Sequence, residues 1–213
     1  MPLMHCKGKG AAIRHTGAAM PTQLLLEAQD LRVERSGRPL VEGLDLRLAA
    51  GDALWLRGRN GCGKSTLLRT LAGLRAPAAG RLTRHAPLRY LGHARGLRDE
   101  LTVQEQFEFS AQLAGLRPDA AALRHFGLQR LARRPLRCLS AGQRQRAALA
   151  PLALPQQQAT LWLLDEPFDA LDPEGVQQLA ELLQAHAAAG GAWVAVSHQA
   201  VPGLCAAERR LDA

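Results

Sequence analysis

The sequence contains no run of about 18 apolar residues, the minimum length at which a segment is read as a candidate membrane-spanning helix. Its 213 residues are 47% hydrophobic and 22% charged, which is typical of an ordinary globular protein with room for a substantial core. Any role at a membrane is therefore expected to come through a partner that spans it.

Cysteine motifs are also missing. The four cysteines, at positions 6, 62, 138 and 205, form no CxxC, no CxxCH and no zinc-finger spacing. This excludes the usual patterns for zinc binding, thioredoxin-like redox chemistry and covalent haem attachment. The pattern favours free thiols in a reducing compartment.

Acidic residues are scarce in two stretches of a chain whose net charge is +8. Between Arg117 and Arg146, eight arginines accompany a single acid, Asp119. Residues 1–20 carry three basic residues and no acid, and they lack the apolar region of a signal peptide. The excess charge fits either a solvated basic surface or a surface for an anionic partner. Residues 1–22 are expected to be a disordered extension, and 23–213 the folded domain.

Predicted strands and helices alternate along most of the chain, which indicates a largely parallel sheet covered on both faces. A predicted hairpin precedes this alternation, and a mostly helical insert at about 99–140 interrupts it. The predicted strands are 24–33, 41–48, 53–57, 88–91, 161–164 and 193–197. The predicted helices are 64–72, 103–113, 120–126, 128–132, one after Ser140, and 174–189.

A phosphate-binding loop is predicted at residues 58–65, which fit the pattern G-x-x-x-x-G-K-[ST] between a strand and a helix. The glycines allow backbone N–H groups to surround a polyphosphate, and the helix N-terminus favours the anion. Lys64 would approach the β- and γ-phosphates, and the Ser65 hydroxyl would reach Mg²⁺. The predicted ATP-binding residues are Gly58, Arg59, Asn60, Gly61, Cys62, Gly63, Lys64, Ser65 and Thr66.

Two carboxylates follow the apolar strand 161–164 directly. Ligand sites of open α/β sheets lie at the carboxyl ends of strands, so these acids can meet the phosphate loop there. Asp165 is predicted to hold Mg²⁺ through its water shell. Glu166 is then the natural general base for an attacking water. The alternative for Glu166 is a surface acid that caps the next turn.

Residues 139–143 read Leu-Ser-Ala-Gly-Gln, with Ser140 as a predicted helix N-cap. With the two motifs above, this sequence resembles the ATP-binding-cassette (ABC) family, whose signature is Leu-Ser-Gly-Gly-Gln. The resemblance implies the P-loop NTPase fold of that family, with a mostly parallel sheet, an N-terminal antiparallel β part and an inserted helical subdomain. It also implies that the signature grips the ATP of a second cassette. The predicted signature residues are Leu139, Ser140, Ala141, Gly142 and Gln143.

The resemblance extends over about residues 23–213 and adds two further site residues. Asp172 matches the D-loop, and His198 matches the switch histidine that contacts the γ-phosphate and, with Glu166, positions water. It further implies a homodimer of cassettes with ATP and Mg²⁺. Integral membrane subunits are the implied partners, and the implied location is peripheral, at the cytoplasmic face of the inner membrane.

Three positions depart from the family pattern. His93 stands where a Q-loop glutamine normally offers an oxygen to Mg²⁺, so a water is expected in its place because Mg²⁺ favours oxygen ligands. Arg35 replaces the aromatic residue that stacks on adenine, and a guanidinium plane can also stack there. Pro151 is expected to end or kink the helix after the signature near Ala150.

Residues 91–102, 165–172 and 197–199 resemble the branch of the family that serves cytochrome c maturation. This implies an ATPase of a haem exporter, with haem-handling proteins as indirect partners and no nucleic acid. Three alternatives stay open: a cassette for another small molecule, a cassette acting on ribosomes or DNA, and an ATP switch that does not hydrolyse.

Overall fold

The structure is a computed structural model, and it describes residues 23–93, 96–198, 201 and 203–211. The predicted extension at 1–22 and the family-like residues Ala94, Arg95 and Gln199 lie outside the described residues. The strands are β1 (Leu24–Arg35), β2 (Arg38–Ala49), β3 (Ala53–Arg57), β4 (Ala79–Arg84), β5 (Leu88–Leu91), β6 (Leu161–Asp165), β7 (Ala192–Val196) and β8 (Ala207–Arg210). The α-helices are α1 (Lys64–Leu71), α2 (Val103–Leu113), α3 (Ala120–His125), α4 (Ala141–Leu149) and α5 (Pro173–Ala188).

β1 and β2 form the predicted hairpin, which lies in an antiparallel sheet of order β2-β1-β4. Its turn is shorter than predicted, because Arg35 pairs directly with Arg38 and only Ser36 and Gly37 lie between them. Both turn residues have positive φ, 52° and 76°. Two-residue turns of this kind match the right-handed twist of the flanking strands, so they close hairpins well.

The second sheet has five strands in the order β5-β6-β7-β3-β8, and each adjacent pair is parallel. The carboxyl ends of β3, β6 and β7 therefore lie side by side at one edge. Their central residues are buried on both faces, which explains the continuous apolar runs such as Leu161–Leu164.

Alternate residues of these strands enter two separate hydrophobic cores. On one face, Trp55, Trp162 and Trp193 pack with residues of the helical region and of α5. On the other face, Leu54 and Leu163 pack with α1 and the antiparallel sheet. The central sheet thus holds the helical region and the hairpin on its opposite sides.

The helical region between α2 and α4 is built from short, well-capped elements. Thr102 begins α2 with a capping box in which its hydroxyl accepts from the Glu105 N–H and its own N–H donates to the Glu105 carboxylate. A 3₁₀ turn over Gln129–Leu131 stands where a longer helix was predicted. Pro151 lies in a 3₁₀ turn over Ala150–Ala153 that follows directly on α4, as its missing N–H predicts.

Two strands were not predicted from sequence. β4 and β8 lie at the edges of their sheets and are mostly exposed, so neither carries a clear apolar alternation. The α/β class with its parallel core and antiparallel part is confirmed. Among the described residues, no helix is long and apolar enough to cross a membrane.

Candidate active site

The loop between β3 and α1 has the backbone shape of a phosphate-binding loop. Gly58, Gly61 and Gly63 have positive φ values of 149°, 82° and 105°, which side-chain-bearing residues rarely adopt. Lys64, the first residue of α1, is only 7% exposed. Its Nζ donates to the carbonyl oxygens of Gly58 at 2.8 Å and Arg59 at 3.0 Å, so the ammonium lies inside the loop.

Close packing on both sides explains why glycine is needed in this loop. A Cβ at Gly58 would lie 2.7 Å from the Cys62 sulfur and would also meet the backbone of Leu211. A Cβ at Gly63 would lie 2.8 Å from the Cβ of Leu40, which comes from the antiparallel sheet. The loop is therefore held between the hairpin and the end of the described chain.

Ser65 and Asp165 bring α1 and the end of β6 together. The Ser65 hydroxyl donates to Asp165 Oδ1 at 2.9 Å. Asp165 is 3% exposed, and its Oδ2 atom makes no hydrogen bond within the described part of the chain. Buried carboxylate oxygens are nearly always satisfied, so this atom is suited to a ligand that supplies positive charge or a proton.

Glu166, the next residue, has an unusual backbone conformation. Its φ is 52°, a conformation that costs of order 1–3 kcal/mol for a residue other than glycine. Its N–H donates to the Val196 carbonyl at 2.9 Å, which ties it to β7. Its carboxylate faces His198, with Oε1 at 3.1 Å from Nε2 and Oε2 accepting from the His198 N–H at 3.2 Å.

The pKa of Glu166 is raised above its ordinary value, mainly because burial disfavours the charged carboxylate. The charge and the backbone N–H of His198 act in the opposite direction. Glu166 is thus a partly shielded carboxylate, 12% exposed, beside a histidine side chain that is 55% exposed. Such a pair can accept a proton from water and orient it.

The predicted signature residues form the start of α4. The Ser140 hydroxyl accepts from the Gln143 N–H at 3.2 Å, and the Ser140 N–H donates to Gln143 Oε1 at 3.0 Å. Leu139 is buried and anchors the segment, while Ser140 and Ala141 are exposed. The motif therefore presents a capped helix N-terminus to the surface.

α4 is joined tightly to the loop that follows Glu166. A Cβ at Gly142 would lie 2.6 Å from the Ala170 carbonyl oxygen, so only glycine permits this approach. Gln145, which is buried, donates from Nε2 to the Pro167 carbonyl at 2.6 Å. Arg146 pairs with Asp172, which caps α5 by accepting from the Gly175 N–H at 3.0 Å.

Comparisons with known proteins agree with this arrangement. The family model described as ABC transporter matches residues 41–169. The chain is 47% identical over 190 residues to the cytochrome c biogenesis ATP-binding export protein CcmA of Alkalilimnicola ehrlichii, covering 82% of this chain and 80% of the relative. The protein of the same name from Paracoccus denitrificans is 47% identical over 176 residues, with 82% of each chain covered. The chain belongs to the ABC transporter family.

A solved structure supports the fold of this ABC ATPase. The ATP-binding protein of an ABC transporter from Pyrococcus furiosus superposes with a TM-score of 0.75 and 22% identity. The superposed region covers 87% of this chain and 96% of the Pyrococcus furiosus chain. At this identity the likeness concerns the fold alone, and the predicted ABC fold is confirmed.

The structure brings most of the predicted site residues of this ABC ATPase to the carboxyl end of the parallel sheet. Five of them lie at or after the ends of β3, β6 and β7: Lys64, Ser65, Asp165, Glu166 and His198. Two of the residues that depart from the family pattern lie beside the strands. His93 lies exposed two residues beyond β5, next to β6, and Arg35 lies exposed at the tip of the hairpin.

Three residues beside the site were not predicted from the sequence. Gln145 and Arg146 follow the signature, but a glutamine and an arginine on a helix are usually solvated. Arg57 ends a short apolar strand, where a basic residue ordinarily marks the strand's exit to solvent. Only contacts between distant parts of the chain reveal them: Arg57 and Gln145 donate to backbone carbonyls of the site, and Arg146 pairs with the Asp172 carboxylate.

Proposed function

We propose that this chain is the ATP-binding and hydrolysing subunit of an ABC transporter complex that serves cytochrome c biogenesis as a haem exporter. One observation supports the enzymatic part of this proposal. The phosphate loop, Asp165 and the Glu166–His198 pair lie together at the carboxyl end of the parallel sheet. The relatives named as cytochrome c biogenesis ATP-binding export proteins support the biological role.

ATP would bind with its phosphates in the loop that begins at Gly58. The N–H groups of the loop and of the α1 N-terminus favour a polyphosphate there. Lys64 Nζ, which is already inside the loop, would exchange its two backbone carbonyl contacts for phosphate oxygens. The residues proposed to surround the phosphates are Gly58, Arg59, Asn60, Gly61, Cys62, Gly63, Lys64, Ser65 and Thr66.

The residues at the end of β6 fit a magnesium ion that accompanies ATP. The Ser65 hydroxyl and Asp165 Oδ2, which has no hydrogen-bond partner among the described residues, are oxygen ligands of the kind that Mg²⁺ prefers, and Mg²⁺ keeps several waters in such sites. Bound there, the ion would neutralise charge on the β- and γ-phosphates. We propose no direct ligand role for His93, because its imidazole is a poor match for this ion.

Hydrolysis is proposed to use Glu166 as the general base and His198 as the group that orients water and the γ-phosphate. The partly shielded carboxylate of Glu166 can take the proton of the attacking water, and the exposed imidazole of His198 can face the substrate. Lys64 would stabilise the charge that develops on the transferred group.

The signature at the start of α4 is proposed to act on the ATP of a second copy of this chain. A capped, exposed helix N-terminus can donate N–H groups to a phosphate. The segment Leu139, Ser140, Ala141, Gly142 and Gln143 would then complete the partner's site, and Asp172 would lie at the same interface. This arrangement requires a homodimer with two ATP molecules between the cassettes.

The complex is proposed to act at the cytoplasmic face of the inner membrane, with this chain as a peripheral subunit. The family and its naming imply membrane subunits as partners. Residues 99–109 and the helical region are the proposed contact surface, and 99–140 the proposed subdomain. Haem-handling proteins would be indirect partners, and no nucleic acid is expected.

A pull-down from detergent-solubilised host membranes tests the biological role. We expect tagged Glu166→Gln protein with ATP to recover the membrane subunits of cytochrome c maturation. The Lys64→Ala variant is the matched control, since it should recover less of the ATP-dependent complex.

Recovery of a different transporter's membrane subunits would retain the ATPase and overturn the cytochrome c assignment. Recovery of ribosomes or DNA in place of membrane proteins would overturn the transporter role as well.

A further inference from the structure

Arg57 occupies an unusual position for a charged side chain. It is the last residue of β3, directly before the phosphate loop, yet its guanidinium reaches across to the end of the neighbouring strand β7. Its Nη1 donates to the carbonyl oxygen of Ser197 at 2.6 Å. Ser197 is itself buried, so this contact is shielded from water.

The carbonyl that Arg57 binds belongs to the peptide unit that joins Ser197 to His198. The N–H of the same peptide unit donates to Glu166 Oε2 at 3.2 Å. One planar group therefore connects a guanidinium on its oxygen side to the carboxylate on its nitrogen side. Because a peptide unit is rigid and planar, fixing its oxygen also fixes the direction of its N–H.

The charges along this chain of groups reinforce one another. A cation on the carbonyl polarises the peptide unit and makes its N–H a stronger donor to an anion, as in other connected hydrogen bonds. The Arg57 side chain is held in place for this task. Its Nε lies 3.5 Å from Glu208 Oε1 on β8, and its guanidinium carbon lies 5.0 Å from the ring centre of the buried Trp55.

We propose that Arg57 is a positioning residue for hydrolysis, which orients the Ser197–His198 peptide and thereby aims the Glu166 carboxylate. The inference rests on the proposed role of Glu166 as general base. β3, which leads into the phosphate loop, would thus also act on the Glu166 side of the site through its last residue.

The test compares steady-state ATP hydrolysis and ATP binding by the full chain with its membrane subunits, for wild type and Arg57→Met. The variant keeps most of the length of the side chain but loses the charge and the donors. We expect kcat to fall roughly tenfold to hundredfold, as for loss of a charge-assisted hydrogen bond, with ATP affinity retained. Arg57→Lys should restore part of the rate.

Arg209→Met is the matched control. Arg209 also donates from Nη1 to a backbone carbonyl, but to that of Asp45 on the antiparallel sheet, at 3.2 Å. Its loss should leave kcat and ATP affinity unchanged. Thermal unfolding of each variant identifies any general loss of structure.

Glu166→Gln, measured in parallel, separates this inference from the proposed function. If Glu166→Gln is inactive but Arg57→Met behaves as wild type, the role of Arg57 is wrong and the base assignment stands. If Arg57→Met loses ATP affinity and keeps its kcat, Arg57 serves the phosphate loop and the inference is wrong. If Glu166→Gln turns over normally, both are wrong.

Discussion

Glu166 is subject to opposing influences that set its protonation. Burial raises its pKa, while the imidazolium charge of His198 and the His198 N–H lower it. Because burial dominates, the folded chain holds the proton more tightly than the unfolded chain does. Ionising Glu166 therefore costs folding stability as pH rises from the ordinary pKa of the carboxyl through its raised folded value. As the proposed general base, Glu166 would be ionised mainly above that folded pKa.

A substitution at His198 tests the balance between burial and the positive charge that sets the pKa of Glu166. His198→Gln removes the positive charge but keeps a side chain of similar size and the backbone N–H beside Glu166, so the pKa of Glu166 should rise further. The measurement is a ¹³C NMR titration of the glutamate carboxyls, with the Glu166 signal assigned by its absence in Glu166→Gln.

Glu105 serves as an internal reference in the same spectra. Hydrogen bonds from Thr102 lower its pKa, and the His198 substitution should leave that titration where it is. A Glu166 titration at the same or a lower pH in His198→Gln would show that the imidazole charge does not stabilise the carboxylate.

Helix caps matter more than usual in the helical region, because its helices are short. α2 has 11 residues and α4 has nine, and each begins with a capping box. Isolated helices of this length are marginal in water, so both depend on caps and packing. The same device thus stabilises the proposed membrane-facing helix and the signature helix.

The prediction at this scale concerns the cap of α2. Thr102→Ala should lower the free energy of unfolding by about 1 kcal/mol, the usual effect of losing a side-chain cap. Thr102→Ser should retain most of it, because the hydroxyl can still accept from the Glu105 N–H. Urea unfolding checks both variants. An equal loss in the two would assign the effect to the threonine methyl group and not to the cap.

The sequence predicted the elements with apolar runs or caps well, and it missed the two polar, mostly exposed edge strands β4 and β8. The bounds of β3, β5 and α2 agree with the structure, since an apolar run or a capping residue marks each end. β8 reads Ala-Glu-Arg-Arg and gives no such signal, because pairing with β3 and not apolar burial stabilises it.

The same physical distinction applies to the candidate site. Loop and strand-end residues such as Lys64 and Asp165 belong to motifs with a fixed spacing, so the sequence reveals them. The contact of Arg57 with the Ser197 carbonyl joins residues far apart in the chain, and no local pattern encodes it.

At the scale of the whole molecule, the two halves of the proposed ATP site differ in exposure. Lys64 and Asp165 are buried in the sheet edge, whereas Ser140 and Ala141 lie on the surface. Tight contacts of α4 with the loop after Glu166 pack the predicted signature directly against the proposed hydrolytic residues of the same chain. A second copy that contacts the signature would therefore act directly on this chain's own catalytic loop.

The prediction at this scale is that ATP drives dimerisation when hydrolysis is blocked. Glu166→Gln protein should have the mass of one 23.0 kDa chain without nucleotide and twice that mass with ATP and Mg²⁺, by size exclusion with light scattering. Adding Lys64→Ala to this variant should keep it monomeric. A Glu166→Gln protein that binds ATP and stays monomeric would contradict the two-cassette arrangement.

The division of the molecule into two cores has a spectroscopic consequence. All three tryptophans lie in the core on the helical side of the central sheet, and Trp162 stacks on His186 with ring centres 3.6 Å apart. Intrinsic tryptophan fluorescence therefore reports on that side alone. Loosening of the hairpin against α1 would leave the emission spectrum nearly unchanged. Fluorescence melting curves of this protein thus follow one layer of the fold, and the hairpin layer needs a probe of its own.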